Sequence, residues 1–411
     1  MDVAVVGAGL AGLVAARTLT ARGLSVALLE RSPEPGGRVA TEHLDGLTLD
    51  RGFQVLNTAY PAAQHWLDMP ALELCAFVPG AAIRRGGRLH RVADPRRRPG
   101  ALLSTTTAPI GSLPDKLWIA ALSARAAAFP VRDLLAAPET STYDALRSRG
   151  VSDEAIDAFL RPFLTGVFQE SDLTTSSRFF DLVWRTFARG TVVVPAAGMA
   201  AIPAQLAAGL PAGTLRCKVD VRTVSPSTVD SDDGRFDARA VLVATDPVTA
   251  GALLPGLRVP TMRASSTVYH LAARSPMDEP LIVLDGDGRG PVVSTVVLTA
   301  AAPSYATGGR CLVSTSVLGT EVDEVALRPE LTRLYGMSTH DWEHVRTVPV
   351  PQALPAADPP LEIRRPSRLD SGIYVAGDHR DTPSIQGAMV SGARAARVIL
   401  HHLGVDPERH S

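Results

Sequence analysis

The first thirty residues restrict the chain more than any other stretch. Val3-Ala4-Val5-Val6 is apolar and largely β-branched, the pattern of a strand buried on both faces. Gly7-Ala8-Gly9-Leu10-Ala11-Gly12 follows at once, Leu13 to Arg22 reads as a helix, and Gly23 is placed to end it. Ser25-Val26-Ala27-Leu28-Leu29 is a second buried strand with Glu30 at its end. This order makes a right-handed βαβ unit. Gly7 permits the tight turn, Gly9 lets the backbone approach a pyrophosphate, and Gly12 lets the helix pack closely on the strand. The helix N-terminus then turns unpaired N–H groups and a partial positive charge toward the phosphates. Glu30 lies eighteen residues after Gly12, near the spacing of an acid that hydrogen-bonds a ribose hydroxyl. The unit predicts a bound dinucleotide and leaves FAD and NAD both open.

A second glycine segment, Pro35-Gly36-Gly37-Arg38-Val39, is followed by Leu49-Asp50-Arg51-Gly52-Phe53-Gln54. Paired glycines let a chain run close beside a bulky ligand, and an arginine suits a phosphate or stacks on a ring. Alone, this segment reads equally well as a surface turn with a solvated arginine. Taken together, Gly7 to Gly12, Glu30 and Gly36-Gly37-Arg38 resemble the N-terminal signature of the flavin amine oxidase and phytoene desaturase superfamily. The resemblance implies FAD, with Glu30 on the adenosine ribose and Arg31 beside it. It implies that Arg38 lies near the pyrophosphate or the flavin.

Later segments resemble the same family in order. Val194-Pro195-Ala196-Ala197-Gly198-Met199 is similar to its Pro-x-x-Gly-Met segment. Cys217 to Val221 reads as a strand with Val219 inward, and the resemblance implies that this valine packs by the adenine. Ala240 to Thr245 reads as a buried strand, ending in the small pair Ala244-Thr245 where the chain returns to the cofactor. Ile373 to Ala376 is a further strand closed by Gly377-Asp378, and the family uses this aspartate on the ribityl chain or pyrophosphate. Ser384 to Met389 leads into a helix through Leu400. Its N-terminus, at Gln386, Gly387 and Ala388, is expected at the flavin's pyrimidine end, where it would stabilise charge on the reduced ring. His379 is the one catalytic candidate; otherwise it is a loop histidine that satisfies a backbone carbonyl.

At 411 residues the chain exceeds what one hydrophobic core usually supports. The expected fold class is α/β: a glutathione-reductase-like Rossmann domain for FAD, with a second α+β substrate domain in which helices cover a sheet. Residues 1–75, 190–255 and 355–411 are assigned to the FAD domain, and 76–189 and 256–354 to the substrate domain. Within the first inserted stretch, Leu113 to Ala128 and Asp153 to Phe163 carry helical spacing. The second reads as strands at Ser265 to Ala272, Leu281 to Leu284, Val292 to Leu298 and Arg310 to Val317. Arg96-Arg97-Arg98 is expected to be a solvated loop, Arg161 a paired structural residue, and Tyr60, Tyr269 and Tyr305 packing residues.

A formal net charge of −1 gives no global attraction for nucleic acid. Cys75, Cys217 and Cys311 are odd in number and far apart, which suggests neither a metal site nor a disulfide framework. A cytoplasmic location follows as the expectation, with peripheral attachment to a membrane left open. No cysteine follows Cys311, so a C-terminal cysteinyl–flavin bond is ruled out and non-covalent FAD is expected.

Amine oxidases of the superfamily usually place a lysine near the flavin, here expected around Ser265 to Tyr269. Only Lys116 and Lys218 occur in the chain. Gly52-Phe53-Gln54-Val55-Leu56, Tyr60-Pro61, Arg161-Pro162-Phe163, Gly166-Val167-Phe168 and Gly377-Asp378-His379 look more like the phytoene-dehydrogenase-like branch. The expectation is hydride removal from an apolar small-molecule substrate, an isoprenoid by resemblance, with the electron acceptor left open, oxygen and a quinone among the options. An amine or amino-acid oxidase, and an isomerase or mutase without net redox change, are the alternatives.

Overall fold

Short apolar runs with no polar face must be covered on both sides, and the chain achieves this with a five-stranded parallel sheet. The computed structural model describes residues 1–94 and 97–406. Its parallel strands lie in the order Leu215–Cys217, Val26–Glu30, Val3–Val6, Ala240–Val243 and Tyr374–Val375. Val3, Val5, Leu28 and Leu242 face the Leu10–Thr20 and Ile385–His402 helices. Ala4, Val6, Leu29, Val241 and Val243 face Val229 and Phe236 of a small antiparallel sheet. The first strand is therefore central, with chain order diverging on its two sides. That makes the carboxyl edge beside it the switch point where α/β sheets bind ligands.

Two local expectations change. The first helix begins at Leu10 and ends at Thr20, because Gly9 already stands at its N-cap. The strand expected over Cys217 to Val221 is broken at Lys218, which is left-handed at φ 60°. There the chain leaves the parallel sheet and enters the antiparallel one at Val221–Val224. The Val219 amide still donates to the Glu30 carbonyl at 2.9 Å.

The second sheet has seven strands. Their order is Glu343–Pro355, Met262–Ala272, Cys311–Leu318, Val292–Val297, Ile282–Asp285, Gly80–Arg85 and Arg88–Ala93. The four strands expected between residues 265 and 317 are present. The hairpin Gly80–Arg85/Arg88–Ala93 adds strands to a stretch that reads mainly helical. Glu343–Pro355 carries Pro349, Pro351 and Pro355, which argue against a strand; it is tolerated because it lies at the sheet edge.

The Leu113–Ala128 helix begins on a capping box between Ser112 and Asp115. The helix expected from Asp153 runs on to Phe168, with a π segment at Ile156–Leu160. Pro162 has no N–H to give the preceding turn, and the widened turn accommodates it. Arg97 is not solvated: it donates to the carbonyls of Phe187 and Gly190 and to the Thr191 hydroxyl. Arg96 lies outside the described residues. Arg161 is paired as expected, to Asp157 and the Ser171 carbonyl.

Candidate functional site

The strand-end residues singled out by sequence, from Gly7 to Asp378, lie up to 371 positions apart, yet the parallel sheet gathers them on one edge. Gly7 follows Val3–Val6, Ala244-Thr245 follow Ala240–Val243, and Gly377-Asp378 lie just past Tyr374–Val375. Glu30 is the last residue of its strand, and Val219 follows close after Leu215–Cys217. All five carboxyl ends contribute.

The glycines divide by what surrounds them. Gly7 has φ 98°, and a Cβ there would lie 2.9 Å from the Ala244 carbonyl oxygen. A Cβ on Gly12 would lie 1.9 Å from the Gly7 oxygen, so both residues are demanded by the turn itself. A Cβ on Gly9 would meet no protein atom within 4 Å. The second glycine turn adjoins the first: the Gly36 amide donates to the Ala8 carbonyl at 2.9 Å. A Cβ on Gly37 would be 3.7 Å from the Gly9 Cα. The Leu10–Thr20 helix has neither a side-chain cap nor an acidic residue in its first turn. The amides of Leu10, Ala11 and Gly12 are thus left for an anion. Glu30 is buried, and its two oxygens accept from the amides of Ala8 and Ser32, each at 2.8 Å. Arg31 is exposed beside it.

At the other end of the edge, Arg38 donates to Asp378 at 2.6 Å and to the Ala353 carbonyl at 3.2 Å. Ser391, which sequence reading missed, holds the Gly377 amide at 3.1 Å. The Ile385–His402 helix is capped by Ser384, whose hydroxyl takes the Gly387 amide at 3.0 Å. Ala388 donates back to the Ser384 carbonyl, so the amides of Ile385 and Gln386 are the ones the helix still presents. The Gln386 side chain accepts from the Ala62 amide at 2.9 Å. Gly392 was also missed: a Cβ there would lie 2.1 Å from the Ala11 carbonyl oxygen, and its absence lets the last helix rest on the first. A glycine inside a helix costs about 1 kcal/mol, and that cost was the available signal.

His379 is 4% exposed and folds over Gly377, with neither ring nitrogen hydrogen-bonded among the described residues. The alternative role, satisfying a backbone carbonyl, is therefore not what its ring does. Burial, reinforced by Arg380, Arg38 and Arg365, outweighs Asp378 and pushes its pKa down to about 4.

The segment after the second glycine turn is tied to the seven-stranded sheet. Asp50 accepts from Thr41, the Met199 amide and Tyr305, while its carbonyl accepts from Tyr269. Tyr269 and Tyr305 are fully buried, in keeping with packing roles. Tyr60 has its phenol pushed up to about 12 by burial. Gln54 donates to the carbonyls of Arg38 and Arg51. The Phe53 amide donates to the Thr267 hydroxyl at 3.0 Å, so Thr267 and Tyr269 are the residues of the Ser265-to-Tyr269 stretch seen to bond this segment.

An uncapped helix start, two adjoining glycine turns with open space at Gly9, and a partly buried Arg38–Asp378 pair fit a dinucleotide bearing a diphosphate. Among the described residues, no His, Cys, Asp and Glu group is arranged to hold a metal, and no helix is long and apolar enough to cross a membrane.

Known proteins bear on the same region. Residues 10–400 match the family described as flavin containing amine oxidoreductase. Putrescine oxidase from Kocuria rosea is 44% identical over 77 residues, which are 19% of this chain and 14% of that protein. Hydroxyneurosporene desaturase from Rubrivivax gelatinosus is 48% identical over 50 residues, 12% of this chain and 10% of that protein. The matched segments thus span only about a seventh or less of these curated relatives. Cyclohexylamine oxidase from Brevibacterium oxydans IH-35A shares the fold at a TM-score of 0.71 and 16% identity, over 98% of this chain and 99% of that one. The family match covers nearly the whole chain, and the site geometry agrees with it: the protein belongs to the flavin containing amine oxidoreductases and is an FAD-dependent enzyme.

Proposed function

We propose that the enzyme removes hydride from an apolar substrate, desaturating or oxidising a carbon–carbon bond, with an isoprenoid as the first class to test. The observation that carries this reading is the uncharged lining beside buried Gly52. A Cβ at Gly52 would meet only the Val350 methyl at 3.8 Å and the Thr267 hydroxyl at 3.9 Å. The ring of Phe53 lies edge-on to Phe77 beside it. The resemblance places a lysine in this neighbourhood in amine oxidases; here a threonine is committed to a backbone amide. An unactivated C–H bond asks for a dry, uncharged surface rather than an ionisable group.

Bound FAD supplies the hydride acceptor. The protein's part is placement. In this reading Gly7, Gly9, Gly12, Gly36 and Gly37 admit the diphosphate, and Glu30, Arg31 and Val219 take the adenosine. Ala244, Thr245, Gly377 and the Arg38–Asp378 pair flank the ribityl side, and the helix start at Gln386, Gly387 and Ala388 faces the pyrimidine. The segments 1–75, 190–255 and 355–411 form the cofactor-binding unit, and 76–189 with 256–354 the substrate unit. The flavin is held without a covalent bond, and acid precipitation should leave the yellow colour in the supernatant.

The test is anaerobic bleaching of the flavin by a panel of isoprenoids, amines and amino acids. Bleaching by an isoprenoid, with the unsaturated product formed, is the expected result. Bleaching by amines, with peroxide released in air, would replace this reading with an amine oxidase. Turnover only after dithionite reduction would replace it with an isomerase or mutase.

A further inference from the structure

The Leu113–Ala128 helix is apolar on the wrong side. A surface helix normally presents charged residues outward. Its exposed positions are Leu113, Pro114, Leu117, Trp118, Ala120, Ala121, Ala124 and Ala128, none of them charged. Of its charged side chains, Asp115 is buried in the N-terminal capping box, Lys116 donates to the carbonyls of Thr106 and Ala108, and the partly exposed Arg125 lies over the Phe129 ring, 3.9 Å from Asp181. Leu113 is 60% exposed, Leu117 64% and Trp118 48%. Phe129 and Val131 extend the exposure at one end, and Leu103 at the other, on the neighbouring helix Leu102–Thr107. That helix is fastened to the Arg88–Ala93 strand through Thr105, which bonds the backbone of Ala93. The strand, the two helices and the segment to Val131 therefore form a continuous stretch of surface.

Charge supplies the second observation. Between residues 84 and 132 the sequence holds ten lysines and arginines and only two acidic residues, in a chain of net charge −1. Arg88, Arg91, Arg98 and Arg132 are exposed, Arg91 lying 3.4 Å from Glu279 and Arg132 3.3 Å from Asp133. Exposed leucines and a half-exposed tryptophan, in a stretch where arginines outnumber acids even with Glu279 and Asp133 beside Arg91 and Arg132, have the composition of a surface that lies in an anionic lipid interface. A second copy of the chain is a poorer occupant, because it would bring the same excess of positive charge against itself.

We propose that this face docks the enzyme on the surface of an anionic bilayer, without spanning it. The proposal does not depend on which substrate is oxidised, and its test uses no turnover. FAD-loaded protein is floated with phosphatidylcholine vesicles, with and without phosphatidylglycerol. The wild type should float with the phosphatidylglycerol vesicles, be released by salt, and remain below with phosphatidylcholine alone. Leu113→Asp/Leu117→Asp should lower vesicle binding by about tenfold or more while keeping the wild-type flavin content and melting temperature, since both residues are largely exposed. Trp118 should shift its emission to the blue on binding, and Trp118→Phe should lose that part of the signal. Failure of the wild type to float with phosphatidylglycerol vesicles would overturn the proposal. So would a concentration-dependent dimer that the double aspartate variant abolishes, because the face would then belong to a second copy.

Discussion

Arg38 and Asp378, 340 positions apart in sequence, meet in a 2.6 Å ion pair that joins the second glycine turn to the end of the last parallel strand. The Asp378 side chain is 5% exposed and Arg38 29%. Burial works against the charged guanidinium, but Asp378 more than offsets it and holds the Arg38 pKa above its ordinary value. Breaking one side of such a pair strands a buried charge. Arg38→Met, which strands the buried carboxylate, should therefore lose about 3 kcal/mol of stability, and Asp378→Leu, which leaves the partly exposed guanidinium, less. The double variant should recover much of the loss and still bind little FAD. Denaturant titration with parallel flavin absorbance reads both effects; a double variant no more stable than the singles would show that the pair is not coupled.

The glycine turn offers a cleaner separation of folding from binding. Gly9→Val adds atoms where no protein atom lies within 4 Å, at φ −70°, so the apoprotein should fold normally and retain no FAD. Gly12→Ala forces its methyl onto the Gly7 oxygen and should lower the melting temperature as well. Normal flavin content in folded Gly9→Val would refute the placement of the diphosphate at this turn.

The same turn marks how far sequence reading reaches. Val3–Val6, the glycines and Glu30 were legible because each obeys a local rule: a buried run, a tight turn, an acid at a set spacing. Ala244, Gly377 and Asp378 were legible because each follows a short apolar strand. What stayed hidden depends on distant partners. Asp50 looks like any turn aspartate until Tyr269 and Tyr305 arrive from more than 200 residues away. The Gly80–Arg85 strand finds its neighbours only at Ile282–Asp285, and Glu343–Pro355 survives its prolines only at an edge that topology creates. Ser384 was read with the segment that opens the last helix, but its claim on the Gly387 amide is a matter of geometry.

His379 makes stability depend on pH in a defined window. Its ring stays neutral in the fold, with a pKa of about 4 against an ordinary 6.5. Above pH 6.5 neither state binds the proton, so the residue contributes no pH dependence there. As pH falls from 6.5 to about 4, the unfolded chain takes up a proton that the folded chain refuses, and stability drops by roughly 3 kcal/mol in total. Below that window the loss stops growing. His379→Gln should remove this slope, so the difference in unfolding free energy between variant and wild type should change across the window and be flat on either side. A constant difference from pH 7 to pH 4 would rule out a buried neutral ring.

Asp50 provides the opposite case, a buried acid surrounded by donors. Its carboxylate accepts from the Thr41 hydroxyl at 2.6 Å, and from the Met199 amide and the Tyr305 hydroxyl at 2.8 Å each. Burial nevertheless outweighs these bonds and raises its pKa above the ordinary 3.8. A raised carboxyl pKa means that the folded state holds the proton more tightly than the unfolded one. This residue therefore favours folding most at low pH, and that advantage fades as pH rises through its folded pKa. Asp50→Asn keeps an oxygen for Thr41 and Met199, removes the buried charge, and offers Tyr305 an amide to bond. It should match or exceed wild-type stability at pH 7, with the gap narrowing as pH falls. Asp50→Ala leaves three buried donors without an acceptor and should cost about 3 kcal/mol or more at any pH. Melting curves of both variants at pH 5 and pH 8 separate the two effects: if asparagine and alanine destabilise alike, the charge of Asp50, rather than its hydrogen bonds, holds the glycine segment to the seven-stranded sheet.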